Sequence, residues 1–213
     1  MLERLRRARK LRHEYGYWSG RHAQGGRLED GIPFYRWLFC EHFGVGEAFY
    51  AGKRILDVGC GPRGSLEWAG GAAERVGLDP LADRYAGLHA RPHAMRYVRG
   101  AAERMPFDDA HFHVVATINS LDHVDDLDAA LREIARVTAP GGTWLLVVDV
   151  AHGPTVTEPQ RLEWDLLDAL APDWELVERR AFARPSDNLY DNLRAARPHE
   201  GGPGVLSAVL SRR

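Results

Sequence analysis

Residues 53–68, KRILDVGCGPRGSLEW, constrain this chain more than any other stretch. RILDV is a short apolar run that reads as a buried strand, and Gly59, Gly61 and Gly64 follow it as G-x-G-x-x-G. Glycines at that point let the backbone approach a ligand closely. Asp79, 20 residues after Gly59, has the spacing of a carboxylate that accepts hydrogen bonds from ribose hydroxyls. Asp57, two residues before Gly59, narrows the choice of ligand. A carboxylate beside a pyrophosphate suffers like-charge repulsion in a partly dry site. An NAD-dependent oxidoreductase therefore becomes a remote reading.

S-adenosylmethionine fits the same loop better. It carries an ammonium and a sulfonium and no phosphate, and Asp57 can help hold the ammonium directly or through water. The rest of the chain supports a ligand at this place. Strands are expected at 54–58, 74–79, 95–99, 112–119, 143–150, 174–182 and 205–211. Helices are expected from a Ser65 cap to about Gly70, over 81–88, over 125–137 and around 159–170. The helix at 125–137 is the clearest: Leu127, Ala130, Leu131, Ile134 and Val137 share one face. Strands alternating with helices imply an α/β fold, a mostly parallel sheet with helices on both faces. In such sheets ligands bind beyond the carboxyl ends of the strands, where strand order reverses. Asp57, Asp79, Asn119 and Asp149 all fall at such ends.

Residues 1–50 differ in character. A basic stretch, Met1 to His13, precedes a segment rich in aromatics and interrupted by Gly16, Gly20, Gly25 and Gly26. Short helices and loops are expected here, a cap on the same domain, with residues 51–213 forming the domain proper. Six Lys or Arg between Arg4 and Arg12 raise the question of nucleic acid. Aromatic residues are not interleaved with them, and the net charge of the chain is −2, so a solvated helix face is expected and no nucleic-acid partner. Cys40 and Cys60 make no disulfide framework. No apolar run approaches the roughly 18 residues that span a bilayer, so no membrane partner is expected and a cytoplasmic location is. The sequence sets no oligomeric state.

LDVGCGPRG, VGLDP, the GAAERMPFDDAHFHVV run and the helix-then-APGG-then-strand unit resemble the class I S-adenosylmethionine-dependent methyltransferases, in the small-molecule, methyltransferase-11-like branch. The resemblance implies a Rossmann-like seven-stranded sheet in the order 3-2-1-4-5-7-6 with the last strand antiparallel. It implies S-adenosylmethionine as cofactor, S-adenosylhomocysteine as product and a small-molecule methyl acceptor. Asp57, Gly59, Cys60 and Gly61 match the glycine motif around the cofactor's methionine part. Asp79 matches the ribose-binding acid, and Pro80 packs near the adenine. Ala102 and Glu103 match the segment that edges the adenine, and Asn119 lies under the amino-acid part. Pro140, Gly141 and Gly142 match a structural turn. Two departures stand out: Pro62-Arg63 replaces a third close glycine, and Ala101 stands where an aspartate often takes the adenine amino group, which leaves backbone groups or Glu103 for that role.

Methyl transfer to oxygen often needs a base. NSLDHVDD after the fourth strand offers Asp122 and His123, and DVAHGP after the fifth offers Asp149 and His152. His123 and His152 are the candidate bases, because imidazole titrates near working pH. Packing over the cofactor and an ordinary loop position are the alternatives, and Asp122 either orients His123 or caps a helix. No metal is expected; Asp122, Asp149 and His152 are the alternative ligand set. Tyr15, Tyr17, Trp18 and Arg21 are candidates for walling a substrate pocket, as are Asn188 and Tyr190 in the 184–203 loop. O-methylation of a small molecule is the expected function; N-methylation and a non-catalytic S-adenosylmethionine-binding module are the alternatives.

Overall fold

The computed structural model describes residues 2–23, 32–89, 91–186 and 188–213. Arg54–Val58 (β1), Glu74–Asp79 (β2), Arg96–Arg99 (β3), Phe112–Ile118 (β4), Thr138–Val150 (β5), Trp174–Ala183 (β6) and Gly204–Arg212 (β7) form one sheet. Their order is β3-β2-β1-β4-β5-β7-β6. β7 runs antiparallel to both β5 and β6, and the pairings among β1 to β5 are parallel. The order reverses between β1 and β4, so the glycine loop leaves β1 at the seam where such sheets open a crevice.

β4 and β5 are apolar on both faces because both faces are covered. Val114, Val115, Leu146 and Val147 are fully buried. On one face lies Leu127–Val137 (α4), with Ile134, Ala135 and Val137 against Leu56, Val115 and Trp144. Burying a side chain such as Ile134 contributes about 2 kcal/mol. The opposite face is covered by Ile32–Trp37 (α2), by the wider turn Leu38–His42 that continues it, and by Leu189–Ala195 (α5). Phe39 and Tyr50 are buried there, so much of the aromatic segment before β1 is core of the sheet domain.

Several elements differ from expectation. The basic start is one 22-residue helix, Leu2–Ala23 (α1), which runs through Gly16 and Gly20. A glycine inside a helix costs about 1 kcal/mol against alanine, and α1 is held by tertiary contacts. Lys10, Glu14 and Trp18, spaced i, i+4, i+8, share the face turned to the protein, while Leu11, Tyr15 and Trp18 pack on Leu81, Tyr85 and Leu88. Gly25 and Gly26 lie outside the described residues.

No helix starts at Ser65; residues 61–72 turn repeatedly, and the Ser65 hydroxyl donates to the buried Asp57 carboxylate. The helix expected over 81–88 is one α-turn, Ala82–Tyr85 (α3), followed by a 3₁₀ turn. α4 starts at Leu127 because Asp126 is its N-cap, accepting from the Ala129 amide at 3.0 Å. Around 159–170 only a 3₁₀ turn forms, Leu166–Leu170.

β5 begins directly after α4. The ladder jumps from Phe112–Thr138 to Val114–Thr143, so the APGG segment bulges beside β4. His89 and His93 stack on each other at 4.0 Å, and His93 bonds the Tyr97 hydroxyl. Among the described residues no helix is long and apolar enough to cross a membrane.

Candidate active site

A cavity of about 400 Å³ lies over the carboxyl ends of β1, β2 and β4, within the range of small-molecule sites. Its floor is the loop Gly59–Gly61. Gly59 has φ +74°, and a Cβ there would sit 2.4 Å from Ser120 Cβ. Only glycine lets β1 turn this close to the loop after β4. The Gly59 amide donates to Leu78 O at 2.7 Å, and Ser120 Oγ donates to Val58 O at 2.6 Å. These bonds tie together the ends of three neighbouring strands.

Asp79 is fixed from two sides. Its Oδ2 accepts from the Gly61 amide at 3.1 Å and its Oδ1 from the Leu81 amide at 2.8 Å. Each oxygen keeps capacity for a further donor. Burial pushes the Asp79 carboxyl up to about 6, against the pull of those two amides. Asp57 Oδ2 is engaged by Ser65, while its Oδ1 is buried without a partner among the described residues. Burial pushes Asp57 up to about 7; the Ser65 bond lowers it and the Asp79 charge adds to the rise. An orphaned carboxylate oxygen in a cavity wall is what an ammonium group satisfies. The wall therefore fits a ligand that brings a cation to Asp57 and hydroxyls to Asp79.

That fit has a pH consequence. A buried carboxyl with a raised pKa stabilises the free protein fully below its unfolded value of 3.8, and this contribution is lost as pH rises through about 6 to 7. Binding of a cation needs the ionised form, so it runs the other way. Affinity for S-adenosylmethionine is expected to rise about tenfold from pH 5.5 to 7. Calorimetric titrations across that range check it, and a flat profile contradicts the role of Asp57.

Cys60, Pro80, Ala102, Glu103 and Asn119 also line the cavity. Asn119 holds a left-handed φ of +53° while its amide donates to Val147 O at 2.8 Å. Glu103 Oε1 already accepts from the Asp125 amide at 2.6 Å and from the Asp126 amide at 3.3 Å. Through that oxygen it ties the segment after β3 to the start of α4, while its side chain still lines the cavity.

α1 closes the cavity. Tyr17 and Trp18 line it, with the Trp18 ring over Gly61. Tyr15 and Arg21 do not. Tyr15 instead faces the Arg84 guanidinium at 3.6 Å, and Arg21 lies exposed over Tyr17. Tyr190 lines the cavity, whereas Asn188 does not and caps α5, accepting from the Tyr190 amide. Sequence reasoning missed Tyr35, which lines the cavity beside Tyr190, and also Lys10 and Glu14. Lys10, unlike the exposed cations around it, is buried and bonds His123 O and the Asp125 carboxylate.

At the β4 and β5 ends the expected catalytic residues gather, though differently from the expectation. His123 lines the cavity, and its Nδ1 bonds Glu14 Oε1 at 2.8 Å. Burial lowers its pKa, but Glu14, Asp122 and Glu158 outweigh that and carry it up to about 9. The surrounding carboxylates favour the protonated ring, and a role as base has to work against them. His152 and Asp122 are 9% and 1% exposed and lie behind the lining, with His152 Nε2 3.7 Å from Asp122 Oδ2. The Asp122 charge raises the His152 pKa. That position removes His152 from direct contact with an acceptor in the cavity. Asp149 is buried too, pairs with Arg184 at 3.3 Å, and is pushed by burial up to about 6. Glu158, which the sequence reading did not single out, lines the cavity in front of this cluster.

Residues 56–146 match a family model described as a methyltransferase domain. Malonyl-[acyl-carrier protein] O-methyltransferase of Erwinia billingiae is 32% identical over 164 residues, 75% of this chain and 63% of that protein. Fatty-acid O-methyltransferase of Mycolicibacterium smegmatis is 33% identical over 176 residues, 80% of this chain and 58% of that protein. The chain thus spans about three fifths of the length of each relative. A solved S-adenosylmethionine-dependent methyltransferase from Mesorhizobium loti shares the fold with a TM-score of 0.60 at 20% identity, over 77% of this chain and 92% of that one. Geranyl diphosphate C-methyltransferase from Streptomyces coelicolor, solved with S-adenosyl-L-homocysteine, does so with a TM-score of 0.62 at 20% identity, over 85% and 77%.

Proposed function

The chain belongs to the class I S-adenosylmethionine-dependent methyltransferases, and from that premise we propose that it methylates an oxygen of a small-molecule acceptor. The observation that carries this reading is one cavity with two unlike ends. The β1–β2 end holds Asp57 and Asp79, and the β4 end holds His123 and Glu158. When bound, S-adenosylmethionine supplies a methyl group on a sulfonium, a leaving group that needs no help from the protein. Asp57 would hold its ammonium, Asp79 its ribose hydroxyls, and Trp18 would cover it from α1. His123 and Glu158 would hold an acceptor hydroxyl at the other end, so that two reactants meet in one orientation. Tyr17 and Trp18 on α1 exclude water from the same space. The two relatives named as O-methyltransferases support oxygen over nitrogen.

An amine acceptor is the second reading, since the carboxylates of Asp122 and Glu158 also favour a cation. Incubation with methyl-labelled S-adenosylmethionine and matched panels of phenols, carboxylic acids and amines separates the readings. Label in oxygen acceptors is expected. Label in amines alone moves the reading to nitrogen. Stoichiometric cofactor binding with no label in any panel identifies a binding module without turnover.

A further inference from the structure

We infer that Asp122, His152 and Glu158 form a binding site for a divalent first-row transition metal, at the edge of the cavity where the acceptor would lie. Ligand atoms of the three lie within 4.8 Å of one another. The hydrogen bonds around them fix which atoms face inward. His152 Nδ1 bonds the Gly153 carbonyl at 2.9 Å, and a carbonyl only accepts, so Nδ1 carries the hydrogen and donates. His152 Nε2 is then the atom turned to Asp122, in the arrangement that orients metal-ligating histidines.

His123 repeats the pattern: Nδ1 is engaged by the Glu14 carboxylate, and Nε2 stands 4.0 Å from Asp122 Oδ1 and 4.0 Å from Glu158 Oε1. His123 Nε2, His152 Nε2 and Asp122 Oδ1 are all buried without a hydrogen-bond partner among the described residues. Buried polar atoms of a folded protein are normally paired. Here His123 Nε2 stands 4.0 Å from Asp122 Oδ1, and His152 Nε2 stands 3.7 Å from the other oxygen, Oδ2, both too far for hydrogen bonds. Neighbouring ligands of one cation with bonds of about 2.1 Å stand roughly 3.0–4.2 Å apart. A cation held by Asp122, His152 and Glu158 would give His152 Nε2 the partner it lacks.

Imidazole with two carboxylates suits zinc, manganese or iron better than magnesium or calcium, which take oxygen ligands alone. Glu158 and His123 line the cavity, so the open side of the metal faces the acceptor space. There it would polarise a bound oxygen and lower the pKa of a hydroxyl. This role rests on the oxygen-acceptor reading; the metal site itself does not.

The test uses tag-free full-length protein, stripped with chelator and titrated with Zn²⁺, Mn²⁺, Mg²⁺ and Ca²⁺, with the absorption spectrum of the Co²⁺ form as a second readout. One equivalent of Zn²⁺ or Mn²⁺ is expected per chain, bound in preference to Mg²⁺ and Ca²⁺. His152→Ala should weaken it about 100-fold or more and abolish the Co²⁺ ligand-field bands. Glu158→Gln, at a partly exposed position, should weaken it about tenfold and decides the matter if His152→Ala fails to fold. Affinity for S-adenosylmethionine should stay near wild type in both variants. Absence of Zn²⁺ and Mn²⁺ binding, or equal binding in wild type and both variants, overturns the site. Metal binding without methylation of any oxygen acceptor overturns the oxygen reading and leaves the site standing.

Discussion

Asp79→Ala is expected to weaken S-adenosylmethionine binding about 100-fold or more. Hydrogen bonds to a charged group are worth about 1.5 to 3 kcal/mol each, and the Asp79 carboxylate would accept two from the ribose. The variant also loses what the carboxylate does for the protein. The Gly61 and Leu81 amides donate to it at 3.1 and 2.8 Å, and truncation leaves them without that acceptor, one in the cofactor loop and one at the end of β2. Orphaned donors of this kind cost about 1 to 3 kcal/mol each. The melting temperature should therefore fall along with affinity. Asp79→Asn keeps the shape and one acceptor oxygen, so it should lie between the two. Calorimetry and thermal melts on the three proteins check the order. Wild-type affinity in Asp79→Ala would remove Asp79 from the site.

Gly59→Ala is expected to be as damaging, through sterics. The added methyl would stand 2.4 Å from Ser120 Cβ and 3.0 Å from Ser120 Oγ, and the backbone is at φ +74°. An L-residue pays about 1 to 2 kcal/mol for that left-handed conformation alone. Relieving the overlap requires the loop after β1 to move away from the loop after β4, breaking the bonds that join them. A loss of about 2 to 4 kcal/mol in stability and at least tenfold in cofactor affinity is expected. The two nearest clashing atoms belong to one side chain, so Ser120→Gly in the same protein should restore part of both. A double-mutant cycle on melting and binding measures that coupling. Additive effects would contradict the contact.

Residues whose roles depend on short-range spacing were legible in the sequence. Asp57, Gly59, Gly61 and Asp79 lie between β1 and the end of β2, and all four line the cavity. α4 was legible because its apolar period survives in the fold. α1 was not, because its apolar contacts, Leu11, Tyr15 and Trp18, are sparse among charged residues such as the inward-facing Lys10 and Glu14, and because Gly16 and Gly20 read as breaks. Ser65 looked like a helix cap, since nothing local shows that its hydroxyl is drawn to Asp57. His123 and His152 were visible as residue types, but their protonation was not. It is set by Glu14, 109 residues from His123, and by Asp122, 30 residues from His152. Glu158 sits in an irregular segment that carries no pattern. Chemistry assembled by tertiary contact is hidden from a linear reading in a way that a strand-end motif is not.

The central claim is that a carboxylate-walled glycine loop holds a cationic adenosyl cofactor and excludes a pyrophosphate. Competitive calorimetry at pH 7 with S-adenosylmethionine, S-adenosylhomocysteine and NAD tests it most directly. Both adenosyl ligands share the ammonium and the ribose, so the account predicts that each binds with one-to-one stoichiometry, that Asp57→Asn weakens both similarly, and that NAD does not compete. Binding of NAD with neither adenosyl ligand bound would contradict it.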